Sequence, residues 1–130
     1  MVVSEQIKSR PSAQVTSWTR GVAPEAQFVS ALSLGEILYG IRRLPPGARR
    51  DRLIVWHREM LTPFFASRIL PVDVPVADVW AGMRAQSRRT PSAVDSLIAA
   101  TALTYGLTLV TRNERDFAGL GVRVLNPWAS

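Results

Sequence analysis

Three carboxylates stand where a chain of this size could do chemistry. Asp95 opens an apolar helical pattern, Glu36 lies within a second one, and Asp116 follows a short β-prone run in company with Asn113. Carboxylates brought to one place repel one another, and a hard divalent cation held by oxygen ligands removes that conflict. Such a cation can activate water and stabilise the charge that develops on a phosphodiester. The rest of the composition narrows the choice. There is no cysteine and one histidine, His57. Thiolate metal sites, cysteine nucleophiles, disulfides and multi-histidine centres are therefore excluded. A metal site here must be mostly carboxylate and water, which favours Mg2+ or Mn2+ over Zn2+. His57 itself is expected to be an ordinary packing or surface residue.

Each acid also has a structural explanation. Asp95 in the first turn of a helix favours the positive end of the helix dipole, an effect worth about 0.3–1 kcal/mol. Against that, Ile98, Ala99 and Ala102 share its face, and the two alanines are small enough to leave a cleft above them. Ser33 and Glu36 match a capping box, Ser-x-x-Glu, which would account for Glu36 completely. Yet Glu36 also sits off the apolar stripe beside Tyr39 and Gly40, where a glycine weakens the helix and bares its backbone. Asp73, just before a helix opened by Pro75, is expected to be a cap or a solvated turn residue.

The elements that must hold these residues alternate between strand and helix. Residues 27–31 predict a strand centred on Phe28 and Val29. A helix follows over residues 34–43, with Leu34, Ile37, Leu38 and Ile41 as its core stripe. After the Pro-Pro-Gly turn, residues 48–61 predict a helix rich in arginine at its start and ended by Pro63. Residues 68–72 predict a strand, and residues 75–86 a helix. The chain centres on residues 90–112, in which Thr90 serves as N-cap, Pro91 opens a buried helix, Gly106 stops it and residues 107–110 form a strand. A last strand covers residues 122–125, and residues 14–20 form a short helix near the start. This alternation argues for an α/β domain with a mainly parallel sheet. Ligand sites in such sheets gather beyond the carboxyl ends of the strands. Glu36, Asp95, Asn113 and Asp116 can all reach one such edge.

The chain of 130 residues fits one domain, and with 47% hydrophobic residues it is globular. No apolar run is long enough to span a membrane and no secretory pattern opens the chain, so the cytoplasm is the expected compartment. The formal charge is +6, and Lys8 is the only lysine. Arginine suits phosphate recognition, so the balance is compatible with a polyanionic partner.

Three segments carry a family resemblance: SALSLGEILYGI at residues 30–41, RILPVDVPVADVWAGMRA at residues 68–85, and AVDSLIAATALTYGLTLVTRNERDFAGLGVRVLNPW at residues 93–128. Their order and spacing resemble a PIN domain of the VapC and FitB-like toxins of type II toxin–antitoxin pairs. The resemblance implies a three-layer α/β/α sandwich over residues 1–130 and a Mg2+- or Mn2+-dependent endoribonuclease. Carried over by position, it implies that Glu36, Asp95 and Asp116 are catalytic and metal-ligating. Asn113 and Thr111 would be supporting polar residues, Thr111 orienting a phosphate or water. It implies a cognate antitoxin as partner, RNA as substrate and a homodimer.

The sequence departs from the family at its start. Members open with a strand ending in an Asp-Thr-Asn-like motif followed by Ser-Glu; here Val2, Val3, Ser4 and Glu5 match the residues just after it. The first strand is thus expected to be missing or truncated, and its metal-ligand Asp is absent from this sequence. Three accounts stand side by side: a start upstream of Met1, a decayed toxin, or Glu5 as substitute ligand. The alternative function is a catalytically crippled PIN-like domain that still binds antitoxin or RNA.

Overall fold

The computed structural model describes residues 22–88 and 92–127, together with the backbone of residues 2–3. The expected helix at residues 14–20, the cap at Thr90, the helical start at Pro91, and Glu5 lie outside the described residues.

Five short parallel strands organise the molecule. β1 (Val2–Val3) pairs with β4 (Leu109–Val110), which pairs on its other side with β5 (Val124–Leu125). The register sets Val2 opposite Leu109 and Val3 opposite Val110. β2 (Val29–Ser30) pairs with β3 (Ile69–Leu70) and also lies against β1. A strand thus stands where one was expected to be missing or truncated, as long as the other four and paired to β4.

Helices cover both faces. α1 (Ala31–Arg42) follows β2 directly; α2 (Ala48–Trp56), a π-helical segment (His57–Leu61) and α3 (Thr62–Phe65) form one helical run. α4 (Val74–Gln86) and α5 (Ala93–Thr104) then pack against each other. α6 (Glu114–Phe117) is a single turn after β4. Strand periodicity divides the core, because successive side chains point to opposite faces. Phe28 and Leu70 join Ile98, Ala99, Ala102, Leu109, Phe117 and Leu120 on one face, while Val29 and Ile69 join Leu34, Leu61 and Phe65 on the other. The result is the expected three-layer α/β/α sandwich.

Several boundaries differ from expectation for local reasons. α1 begins three residues early because Ser30, the last strand residue, caps it, its Oγ accepting from the Leu32 N–H at 3.1 Å. Pro63 does not end the second helix. The Thr62 N–H reaches back five residues to the His57 carbonyl, and this wider turn falls where Pro63 has no N–H to give. α5 is capped by Ser92, two residues after Thr90. Gly106 ends α5 as expected. It adopts a φ of +66°, the left-handed conformation that suits glycine, and the Leu107 N–H closes on the Ala102 carbonyl at 2.8 Å.

Candidate active site

Parallel pairing gives each of the two sheets, β1–β4–β5 and β2–β3, its own carboxyl edge, and the residues identified from the sequence lie on the helices and turns next to these strands. α1 leaves the end of β2 and carries Glu36 in its second turn. α5 runs back toward the start of β4, so its first turn, with Asp95, lies toward the carboxyl end of that strand. Thr111, Asn113 and Asp116 follow β4 directly. α5 contacts both α1 and α6, which ties these three places together.

Glu36 is exposed, and its structural explanation fails. Ser33 is the third residue of α1 rather than its cap, and it is buried. Among the described residues its Oγ has no hydrogen-bond partner, and as the third helical residue it is not placed to form the capping box. A Cβ added at Gly35 or at Gly40 would meet nothing within 4 Å. Packing therefore requires neither glycine, and one turn beyond Glu36 the helix surface at Gly40 is bare.

Asp95 is half-buried, and its structural explanation survives. Its backbone N–H donates to Ser92 Oγ at 3.0 Å, which makes it the third residue of a capped helix, within reach of the helix dipole. The expected cleft above Ala99 and Ala102 does not exist. Both are completely buried, and they are small because the neighbouring elements pack closely there. Two residues that the sequence left unmarked hold this end of α5. Trp80 of α4 donates its indole N–H to Ser96 Oγ at 2.9 Å, and Ser96 Oγ lies 2.8 Å from the Ser92 carbonyl. The available signal was Ser92-x-x-Asp95, itself a capping-box pattern.

Thr111 is buried with a local role: its Oγ1 accepts from the Asn113 N–H at 3.1 Å, shaping the turn that carries Asn113 and Asp116 to the surface. The Asp116 N–H donates to the Asn113 carbonyl at 3.1 Å, and both side chains are exposed. Asp73 caps α4, its Oδ1 accepting from the Val76 N–H at 3.3 Å. His57 is buried and packs as expected, with Nε2 donating to the Leu34 carbonyl at 2.8 Å.

The donor set is all oxygen, which suits a hard divalent cation in kind. Among the described residues, however, no group of three His, Cys, Asp or Glu side chains could hold a metal ion together. The described acids alone do not form a complete cage. Among the described residues no helix is long and apolar enough to cross a membrane.

Comparison with known proteins agrees with the resemblance read from the sequence. Residues 5–122 match the family model of the PIN domain. The chain is 36% identical to the plasmid stability protein StbB of Pseudomonas syringae pv. tomato and 34% identical to the toxin FitB of Neisseria gonorrhoeae. Each alignment covers 98% of this chain and 94% of the relative. It is 30% identical to the VapC ribonuclease Y4jK of Sinorhizobium fredii, over 98% of this chain and 93% of the relative. The crystal structure of FitAcB from Neisseria gonorrhoeae superposes with a TM-score of 0.90 at 32% identity, covering all of both chains.

Proposed function

Because this chain belongs to the PIN-domain family, we propose that it is the nuclease toxin of a type II toxin–antitoxin pair. It hydrolyses RNA phosphodiesters with a divalent cation, Mg2+ or Mn2+. The observation that supports this proposal is the placement of Glu36 on the helix that leaves β2, of Asp116 in the turn that leaves β4, and of Asp95 in the first turn of the helix that contacts both. The relatives named as a toxin and as a ribonuclease support the activity class.

Asp95 and Glu36 would hold the cation, with Asp116 beside them and Asn113 supplying an amide oxygen. When bound, the cation supplies water activation and charge stabilisation. The chain's own groups do the positioning. Ser92, Ser96 and Trp80 fix the end of α5 that presents Asp95, Thr111 fixes the turn that presents Asn113 and Asp116, and the bare surface at Gly40 admits a strand beside Glu36. The partner is an antitoxin that covers these acids, the toxin is a homodimer, and its compartment is the cytoplasm, where its substrate is found.

One observation favours a second proposal, a PIN-like domain that binds antitoxin or RNA without cleaving: the described acids leave the cation cage incomplete. The test is RNA cleavage by the full chain in Mg2+, in Mn2+ and in EDTA, with calorimetric titration of Mn2+ alongside. Cleavage abolished by EDTA is expected. A folded chain that neither binds Mn2+ nor cleaves, yet retains RNA or antitoxin, would support the second proposal instead.

A further inference from the structure

The positive charge of this protein is concentrated far from uniformly. Residues 42–59 hold six arginines, Arg42, Arg43, Arg49, Arg50, Arg52 and Arg58, against two carboxylates, Asp51 and Glu59. This is the turn between α1 and α2 together with the helical run that follows. Arg68, by contrast, is spent on structure: it donates to the carbonyls of Pro24, Gln27 and Phe64 and stacks over Phe64 and Phe65.

Between α1 and the helical run opens a pocket of about 250 Å³, lined by Leu38, Arg42, Ile54, His57, Arg58 and Thr62. Its position follows from the π-helical turn. There His57 turns inward and locks to the Leu34 carbonyl, while Arg58 and Thr62 stay on the pocket wall. Turns of this kind are frequent at functional sites. Among the described residues no side chain pairs with Arg42. Arg58 has only Glu59 at 3.5 Å, and both side chains are more than half exposed, so water screens the pair.

We propose that this pocket binds a backbone phosphate of single-stranded RNA, as a second anchor away from the carboxylates. Two arginines from different helical segments and one threonine line it, residue types whose donors suit the several oxygens of a phosphate. Leu38 and Ile54 give it an apolar wall for a ribose. Its volume is below the 300–1,000 Å³ typical of small-molecule sites, which suits a sugar-phosphate rather than a whole ligand. Arg43, Arg49, Arg50 and Arg52 of the same segment add positive charge beyond the pocket lining, as a polyanion requires. The identity of the polyanion rests on the nuclease proposal above; the anion site rests on the pocket itself. Arg42 lies six residues beyond Glu36, about 9 Å along the axis of α1, so one strand could engage both.

The test is fluorescence anisotropy with a labelled 12-nucleotide single-stranded RNA in EDTA, over a salt series, using the full chain. The variant Arg42→Ala/Arg58→Ala should bind at least tenfold more weakly, with a salt slope smaller by about 0.7, the contribution of one phosphate contact on a single strand. Arg49→Ala/Arg52→Ala, in the same arginine-rich segment but outside the pocket lining, should lose less than half as much in log affinity. Equal losses in the two variants, or an unchanged affinity in the first, would overturn the pocket. So would a first variant that keeps RNA but no longer binds polyglutamate, which would assign the pocket to an acidic peptide. Melting curves of both variants guard against unfolding. Failure of the nuclease proposal is read separately. A wild-type chain that never cleaves RNA but needs Arg42 and Arg58 to bind it would leave this site standing. A chain that cleaves while its binding ignores both arginines would remove this site alone.

Discussion

The starts of α1 and α5 are built alike and differ in one respect that matters. Each is capped by a serine whose Oγ accepts a backbone N–H, Ser30 from Leu32 and Ser92 from Asp95. In α5 the acid falls within the first turn, on a helix buried along most of its length and tied to α4 by Trp80. In α1 the acid falls a turn later, on an exposed face between two glycines that nothing in the packing requires. Asp95 therefore has a stabilising role whether or not it has a chemical one, whereas among the described residues no partner gives Glu36 one. Position within a helix, counted from its true cap, separates an acid that the fold uses from an acid that it merely carries.

This contrast can be broken experimentally. The largest effect is expected at Asp95. Asp95→Asn should reduce divalent-cation-dependent RNA cleavage at least a hundredfold while costing about 0.3–1 kcal/mol of stability through the dipole; unchanged cleavage would remove Asp95 from the site. Glu36→Gln should lower cleavage about tenfold, close to 1.4 kcal/mol of transition-state stabilisation, without moving Tm. A stability loss with intact cleavage would reverse the assignment. Ser92→Ala should destabilise by about 1 kcal/mol in denaturant titration, the usual loss for a serine cap. Smallest of these, Gly40→Ala should stabilise the chain by about 0.8–1 kcal/mol, the helix preference for alanine over glycine. If Gly40 serves close approach of a strand, that gain in Tm comes with weaker cleavage.

Much of the fold was legible because it depends on local chemistry. The apolar stripes of α1 and α5, the stop at Gly106 and the cap at Asp73 each follow from side chains within a few residues of one another. The errors came where two local signals competed. Ser30 and Ser33 both fit a cap ahead of α1, and only strand pairing at Val29 and Ser30 selects between them. Pro63 reads as a helix stop, but a π turn just before it removes the conflict, and the same turn begins at His57, which bonds across to Leu34. Ala99 and Ala102 read as the floor of a cleft, and they are instead fully buried in the core.

Residue types alone limited the chemistry. With no cysteine and a single histidine, oxygen was the only abundant ligand available, and helix–strand alternation already implied a parallel sheet with its sites at one edge. What the chain could not express locally was which surface each acid meets. Strand pairing set where the helices that carry Glu36, Asp95 and Asp116 begin and end. Long-range bonds such as Trp80 to Ser96 and His57 to Leu34 set the neighbours of each helix, and those bonds join residues 16 and 23 positions apart. The arginine pocket belongs to the same class. Its residues occupy two helices, and their convergence depends on how those helices pack, a property that no window of sequence contains.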